Sequence, residues 1–264
     1  NIDQVIITTD KISQKRKNEV FNFFKLQGVK IFTVPAIDQW ANSQSVVGNL
    51  KPIIIEDLLR RDAIDIDIQK NVLQYQYKTI LVTGAAGSIG SEITRLLLKF
   101  KPHKLILLDQ AETPLFGLKN ELLNKKQSTQ FEFLLRSVSN LSSVEQIFKA
   151  HKIDVVFHAA AYKHVYMTET TPTAAVLNNI LGTKNVVDVS IKNKVGHFVM
   201  VSTDKAVNPS NVMGASKRIA EMYVANQAES SNTQLITTRF GNVLGSNGSV
   251  VPIFKEQIAK GGPV

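Results

Sequence analysis

The stretch Thr83-Gly84-Ala85-Ala86-Gly87-Ser88-Ile89-Gly90 constrains the fold of this chain more than any other. It follows an apolar run, Thr79-Ile80-Leu81-Val82, and leads into an amphipathic segment from Ser88 to Phe100. Strand, glycine turn and helix, in that order, form the arrangement that holds a dinucleotide pyrophosphate. The backbone N–H groups of Gly84, Gly87, Ser88, Ile89 and Gly90 and the positive end of the helix dipole face the phosphates. A Cβ in the turn would block their approach. The expectation is a chain that binds NAD or NADP.

From Lys78 onward strands and helices alternate. The expected strands are Thr79–Thr83, Lys104–Asp109, Gln130–Leu135, Val155–His158, His197–Ser202 and Leu235–Phe240. The expected helices are Ser88–Phe100, Glu112–Asn124, Ser142–His151, Pro172–Lys194 and Asn211–Glu229. Near-continuous apolar strands separated by helices imply α/β class, a doubly wound parallel sheet covered on both faces. Asp109 ends the second strand, 19 residues beyond Gly90. A carboxylate there accepts hydrogen bonds from both adenosine ribose hydroxyls and repels a 2′-phosphate, which favours NAD over NADP. A helix cap is the competing reading of Asp109.

Before Lys78 the pattern is less regular. Val5–Thr8, Ser13–Leu26 and Val29–Val34 read as strand, helix and strand without a glycine turn. Residues 1–48 are expected to be the C-terminal part of a preceding α/β domain, and 49–77 a connector. Within the connector, Ile53 to Arg61 has helical character and Ile64-Asp65-Ile66-Asp67-Ile68 alternates. Residues 78–264 form the dinucleotide-binding domain. The start at Asn1 and the turn chemistry of Gly261-Gly262-Pro263-Val264 suggest a chain cut at both ends.

Composition narrows the function. The chain has 264 residues, of which 31 are basic and 22 acidic, for a formal charge of +9. Three readings of that excess compete: a solvated lysine-rich surface, a site for anionic substrates or proximity to an anionic membrane face, and nucleic-acid binding. No run interleaves basic and aromatic residues, and no zinc or helix-turn-helix pattern appears, so no nucleic-acid partner is expected. No apolar run approaches the roughly 20 residues of a membrane span. The absence of cysteine excludes disulfides and thiolate metal sites. No His/Asp/Glu cluster has metal-ligand spacing, so no metal is expected.

Five later segments fall at the C-terminal ends of strands, where such folds bind ligands. They are His158-Ala159-Ala160-Ala161-Tyr162-Lys163-His164, Asn179-Ile180-Leu181-Gly182-Thr183, Ser202-Thr203-Asp204-Lys205-Ala206-Val207-Asn208-Pro209, Met213-Gly214-Ala215-Ser216-Lys217, and Arg239-Phe240-Gly241-Asn242-Val243-Leu244-Gly245-Ser246. With the glycine turn, this set resembles the extended short-chain dehydrogenase/reductases that act on nucleotide sugars. Within them it resembles the UDP-N-acetylglucosamine 4,6-dehydratases of bacterial capsule and surface-glycan synthesis. The resemblance covers roughly residues 51 to 264. The connector Ile55-Glu56-Asp57-Leu58-Leu59 resembles the long, membrane-linked branch of the same family.

The resemblance implies a cycle in which hydride leaves sugar C4 for NAD⁺, water is lost across C5 and C6, and the hydride returns to C6. Such chemistry needs an acid for the C6 oxygen, a base at C5 and a group to take the O4 proton. Asp204 and Lys205 match the family's acid and base. For Lys205 to be a base its pKa must fall; burial and Lys217 would lower it, and an ionised Asp204 would oppose that. Met213 stands where most relatives carry a tyrosine, as it does in the membrane-linked branch, which leaves Thr203 or Asp204 to relay the O4 proton. Lys217, four residues on and on the same helix face, is implied to bond the nicotinamide ribose.

Ala159, Ala160, Tyr162 and Asn179 are implied to lie along the cofactor. Lys163, His164, Arg239 and Asn242 are implied to contact the UDP-sugar, although Asn242 can equally bond its own loop. His158 is expected to cap a strand end rather than perform chemistry. A homo-oligomer, a parent protein in the bacterial inner membrane with this part on its cytoplasmic side, and a missing piece of the uridine clamp beyond Val264 complete the expectation. A 4-epimerase on the same fold and a non-catalytic NAD-binding domain are the rival readings.

Overall fold

A computed structural model describes residues 2–8, 12–25, 27, 29–33, 51–52, 66–124, 127–243 and 250–263. The expected helix at 53–61, Ile64 and Asp65 of the alternating run at 64–68, and the segment Leu244-Gly245-Ser246 lie outside the described residues. The chain divides into two compact units, 1–65 and 66–264.

In the first unit, β1 (Gln4–Ile7), α1 (Gln14–Lys25) and β2 (Lys30–Thr33) follow the expected order. β1 and β2 pair in parallel, and β3 (Lys51–Pro52) adds an antiparallel edge to β2. Ile7, Phe21 and Ile31 make a small buried cluster.

The second unit opens with α2 (Ile68–Tyr75), whose first turn is capped by the Asp67 carboxylate accepting from Lys70 N. The sequence places these residues in a connector. Instead the Tyr75 ring packs 5.2 Å from Phe100 and 6.0 Å from Phe157. Then come β4 (Thr79–Thr83), α3 (Ser88–Leu98), β5 (Lys104–Asp109), α4 (Glu112–Leu123), β6 (Gln130–Leu135), α5 (Leu141–Ala150) and β7 (Val155–His158). The remainder is α6 (Val165–Thr170), α7 (Pro172–Ala175), α8 (Gly182–Lys192), β8 (His197–Thr203), α9 (Val212–Ala228), β9 (Gln234–Phe240) and α10 (Val250–Ala259).

All strand pairs of this sheet are parallel, in the order β6-β5-β4-β7-β8-β9. The side-chain period of two sends Ile80, Val82, Leu105, Leu107 and Val155 to one face, where α3 and α4 cover them with Leu97, Leu118 and Leu122. Leu81, Ile106, Leu108 and Val156 go to the other, against Val144 and Ile147 of α5, Val186 and Val187 of α8, and Ala220 and Val224 of α9. The sheet is doubly wound, as the alternation implied. Its strand order reverses between β4 and β7, and that switch point opens a crevice at the C-terminal ends of the strands.

The expected helix Pro172–Lys194 is interrupted. Between α7 and α8 the six residues Val176–Leu181 form a π-helix. The wider turn brings two consecutive polar residues, Asn178 and Asn179, into the interior together.

Candidate active site

The glycine turn sits at the switch point for steric reasons. Gly84 has φ +66°, and a Cβ there would lie 2.6 Å from Ala160 N and 2.7 Å from Ala159 C. Only glycine lets the β4 turn and the loop after β7 approach so closely. A Cβ on Gly90 would lie 2.1 Å from the Gly84 carbonyl oxygen, so α3 starts directly on the turn. Gly87 is the helix N-cap and brings no side chain of its own. An 11-residue helix thus presents its N-terminal dipole and the amides of Ser88, Ile89 and Gly90 at the mouth of the crevice.

Asp109 is held by the same turn. Its Oδ2 accepts from Ala86 N at 2.9 Å and its Oδ1 from Ala111 N at 2.9 Å. Ala111, not Asp109, is the N-cap of α4. The carboxylate is therefore fixed by backbone on both sides, with lone pairs remaining on each oxygen. Across the end of β4, Gln110 Nε2 donates to Tyr162 Oη at 2.9 Å, joining the loops after β5 and β7.

Beneath the turn runs a buried polar chain. Thr183 Oγ1 donates to the Asn179 carbonyl at 2.6 Å, so it must accept from His158 Nε2 at 2.9 Å. His158 Nδ1 then accepts from Thr83 Oγ1 at 2.7 Å. Burial, aided by the nearby Lys217 charge, pushes the His158 pKa down to about 3, so the ring is neutral. Its place at the strand end, bonded on both nitrogens, agrees with a structural histidine. Asn179 spends its whole side chain on the protein: Oδ1 accepts from Tyr162 N and Asn178 Nδ2, and Nδ2 donates to the Tyr162 carbonyl and Ser216 Oγ. It thereby staples the Tyr162 loop to α9.

The second half of the site lies at the ends of β8 and β9. After β8 the chain enters a one-turn 3-10 helix, Asp204–Ala206. Thr203 Oγ1 donates to Asp204 Oδ1 at 3.0 Å, and Lys205 Nζ lies 3.3 Å from the same oxygen. These two donors, Thr203 first, hold the Asp204 carboxyl below the usual carboxylate range. Lys205 Nζ also donates to Asn242 Oδ1 at 3.0 Å. The Lys205 side chain is 37% exposed, so burial here is incomplete and its nearest charge is the opposing carboxylate.

On α9, Met213 and Lys217 share the inward face and both are 4% exposed. Lys217 Nζ donates to the Val201 carbonyl at 2.7 Å. Desolvation lowers its pKa to about 8, against an opposing pull from Glu221. Arg239 turns toward α9 and grips Glu221 with two guanidinium nitrogens, Nε at 2.8 Å and Nη2 at 2.6 Å. Lys163 and His164 lead into α6 on the exposed side of the β7 loop.

The structure thus gathers Gly84, Gly87, Gly90, Asp109, Ala159, Ala160 and Tyr162 around the switch point. It gathers Thr203, Asp204, Lys205 and Asn242 as a second, contiguous group. Sequence reasoning missed Glu221 and Ser202, which bond each other at 2.6 Å in the interior. A carboxylate four residues after Lys217 on an apolar helix face is the signal that points to it. Among the described residues no His/Asp/Glu group can hold a metal ion, and no helix is long and apolar enough to cross a membrane.

Residues 80–264 match the family described as "Polysaccharide biosynthesis protein". The chain is 47% identical over its whole length to the capsular polysaccharide biosynthesis protein CapD of Staphylococcus aureus, covering 44% of that protein. It is 39% identical to a UDP-N-acetylglucosamine 4,6-dehydratase (inverting) of Campylobacter jejuni, over 70% of this chain and 54% of that one. It is 37% identical to a UDP-glucose 4-epimerase of Rickettsia canadensis, with 70% and 54% covered. Among solved structures, Pen from Bacillus thuringiensis superposes with a TM-score of 0.66 at 36% identity, covering 70% of this chain and 58% of that one. The Bordetella bronchiseptica enzyme WbmH, solved with NAD+, gives 0.57 at 27% identity, with 70% and 63% covered. The chain spans about half the length of the curated relatives it matches.

Proposed function

The chain belongs to the polysaccharide biosynthesis protein family of extended short-chain dehydrogenase/reductases, and on that premise we propose that it carries out the NAD-dependent 4,6-dehydration of UDP-N-acetylglucosamine. The observation that carries the reading is the Asp204–Lys205 pair, held at the end of β8 beside a crevice whose glycine turn no Cβ can enter.

The residues present fit a dinucleotide. Gly84 and Gly90 leave the turn bare, α3 offers its N-terminus, and Asp109 presents a carboxylate at the end of β5. That carboxylate favours NAD over NADP, since a 2′-phosphate would meet its charge. When bound, NAD would supply the hydride acceptor for sugar C4 as NAD⁺ and the hydride donor for C6 as NADH, ending each turnover oxidised. Lys217, charged below about pH 8 and buried on α9, would bond the nicotinamide ribose.

Asp204 enters the cycle ionised, because Thr203 and Lys205 stabilise its charged form. Acting as the acid for the C6 oxygen therefore requires it first to take up a proton. The Thr203 hydroxyl, 3.0 Å away, is placed to pass the sugar O4 proton to it. Met213, buried on α9, cannot titrate and so cannot itself take the O4 proton. Lys205, whose side chain is 37% exposed, gives one ammonium proton to solvent as Asp204 takes up the O4 proton, and the neutral amine then takes the C5 proton. Asn242 orients Lys205. Tyr162 would lie along the cofactor, and Lys163 and His164 would contact the sugar. The reading includes a homo-oligomeric, membrane-linked parent protein acting at the cytoplasmic face of a bacterial inner membrane.

A 4-epimerase is the second reading, favoured by the epimerase relative. It needs no acid for C6. The variants Asp204→Asn and Lys205→Ala in the intact protein separate these readings. Dehydration predicts a loss of 4-keto-6-deoxy product by about 10²- to 10⁴-fold in each, the range typical of a lost acid or base. Wild-type output from both variants would contradict the assignment.

A further inference from the structure

We propose that Glu221 is a positioning residue that locks the ends of β8 and β9 into one block and holds the Lys217 ammonium one helical turn away. The proposal rests on the reading of Lys217 as a cofactor ligand.

Glu221 is a buried carboxylate, 4% exposed, on the face of α9 that carries Met213 and Lys217. Ser202 Oγ and Arg239 Nε both donate to Oε1, and Arg239 Nη2 donates to Oε2. Arg218 Nη1 stands farther off, at 3.5 Å. Ser202 and Arg239 are register partners across β8 and β9. Three residues beyond each lie Lys205 and Asn242, which bond each other at 3.0 Å. Two clamps in register thus bracket Thr203-Asp204 and Phe240-Gly241. The lower clamp is built on Glu221, and the upper one contains the residue assigned as base.

The same carboxylate acts on Lys217. Lys217 precedes Glu221 by one turn on the same buried face, and its Nζ donates to the Val201 carbonyl, next to Ser202, which bonds Glu221; neutral His158 of β7 is the other titratable group coupled to this ammonium. Arg239 from β9 and Arg218 face Glu221 itself and keep it ionised. Glu221 is the opposite charge that favours the ammonium against desolvation, and an uncharged residue there leaves Lys217 easier to deprotonate.

The test is a pair of variants in the intact protein, Glu221→Gln and Glu221→Asp. Two quantities are followed from pH 6 to 9: the NMR titration of the Lys217 side chain, and the Kd for NAD. In Glu221→Gln the Lys217 midpoint is expected to fall by about one pH unit. NAD affinity is then expected to match wild type at pH 6 and to weaken about fivefold at pH 8, the ratio of charged fractions for that shift. Glu221→Asp keeps the charge and is expected to keep the wild-type midpoint. A midpoint unmoved in Glu221→Gln, or an NAD loss equal at pH 6 and pH 8, overturns the proposal. A wild-type Kd that stays flat while Lys217 titrates contradicts instead the reading of Lys217 as a cofactor ligand.

Discussion

The glycine turn after β4 and the Asp204 strap after β8 lie at the same edge of one sheet, but they are held by different means. At the turn the backbone does the positioning: Gly84 and Gly90 allow contacts that any Cβ would prevent, and two backbone amides fix Asp109. At the strap, side chains do it: Thr203 and Lys205 hold the Asp204 carboxylate, Asn242 holds Lys205, and Glu221 ties the strands below. A steric cradle tolerates no substitution and is insensitive to pH. A charge network tolerates substitution but responds to protonation.

The largest expected effect breaks the cradle. Gly90→Ala places a methyl 2.1 Å from a backbone oxygen, and the turn must open to admit it. NAD binding is expected to fall by more than about 100-fold, equivalent to roughly 3 kcal/mol, read by calorimetry. Near wild-type affinity would show that the turn is not the phosphate site.

Lys217→Met sharpens the contrast by separating stability from function. Folding lowers the Lys217 pKa from 10.5 to about 8, so the folded state disfavours the ammonium. That cost is fully present below about pH 8 and fades as pH rises toward 10.5. Removing the charge is expected to raise stability at pH 7 by about 3 kcal/mol while weakening NAD binding. Denaturant melts at pH 7 check the first part; a destabilised variant would show that Lys217 is anchored better than its bond to Val201 indicates.

The smallest effect concerns the chain beneath the turn. His158 has its pKa pushed down to about 3, so the unfolded state gains a proton first as pH falls below 6.5. Stability is lost between pH 6.5 and about 3, and at pH 5 the loss from this group is about 2 kcal/mol relative to pH 7. His158→Gln is expected to flatten that slope in acid melts. An unchanged slope would place the acid sensitivity elsewhere.

The same contrast explains what was legible in the sequence. Glycine spacing, apolar strands and the position of Asp109 are local patterns, and each strand of the six-stranded sheet was found to within a residue or two. The π-helix was not, because a periodic apolar face reads as one continuous helix and only the tertiary contacts of Asn178 and Asn179 reveal the wider turn. The short helices α2 and α6 carry too few residues to show a period. The resemblance implies a sugar contact for Arg239, and the structure commits its Nε and Nη2 to Glu221, 18 residues away on another element. Spacing along a chain does not announce pairings of that kind.

Product analysis tests the central claim most directly. The intact protein is incubated with UDP-N-acetylglucosamine and NAD⁺, and the sugar is followed by proton NMR. The account predicts a 4-keto-6-deoxy sugar, seen as a new C6 methyl signal with no net reduction of the cofactor. Recovery of a C4 epimer with its C6 hydroxymethyl group intact would contradict it.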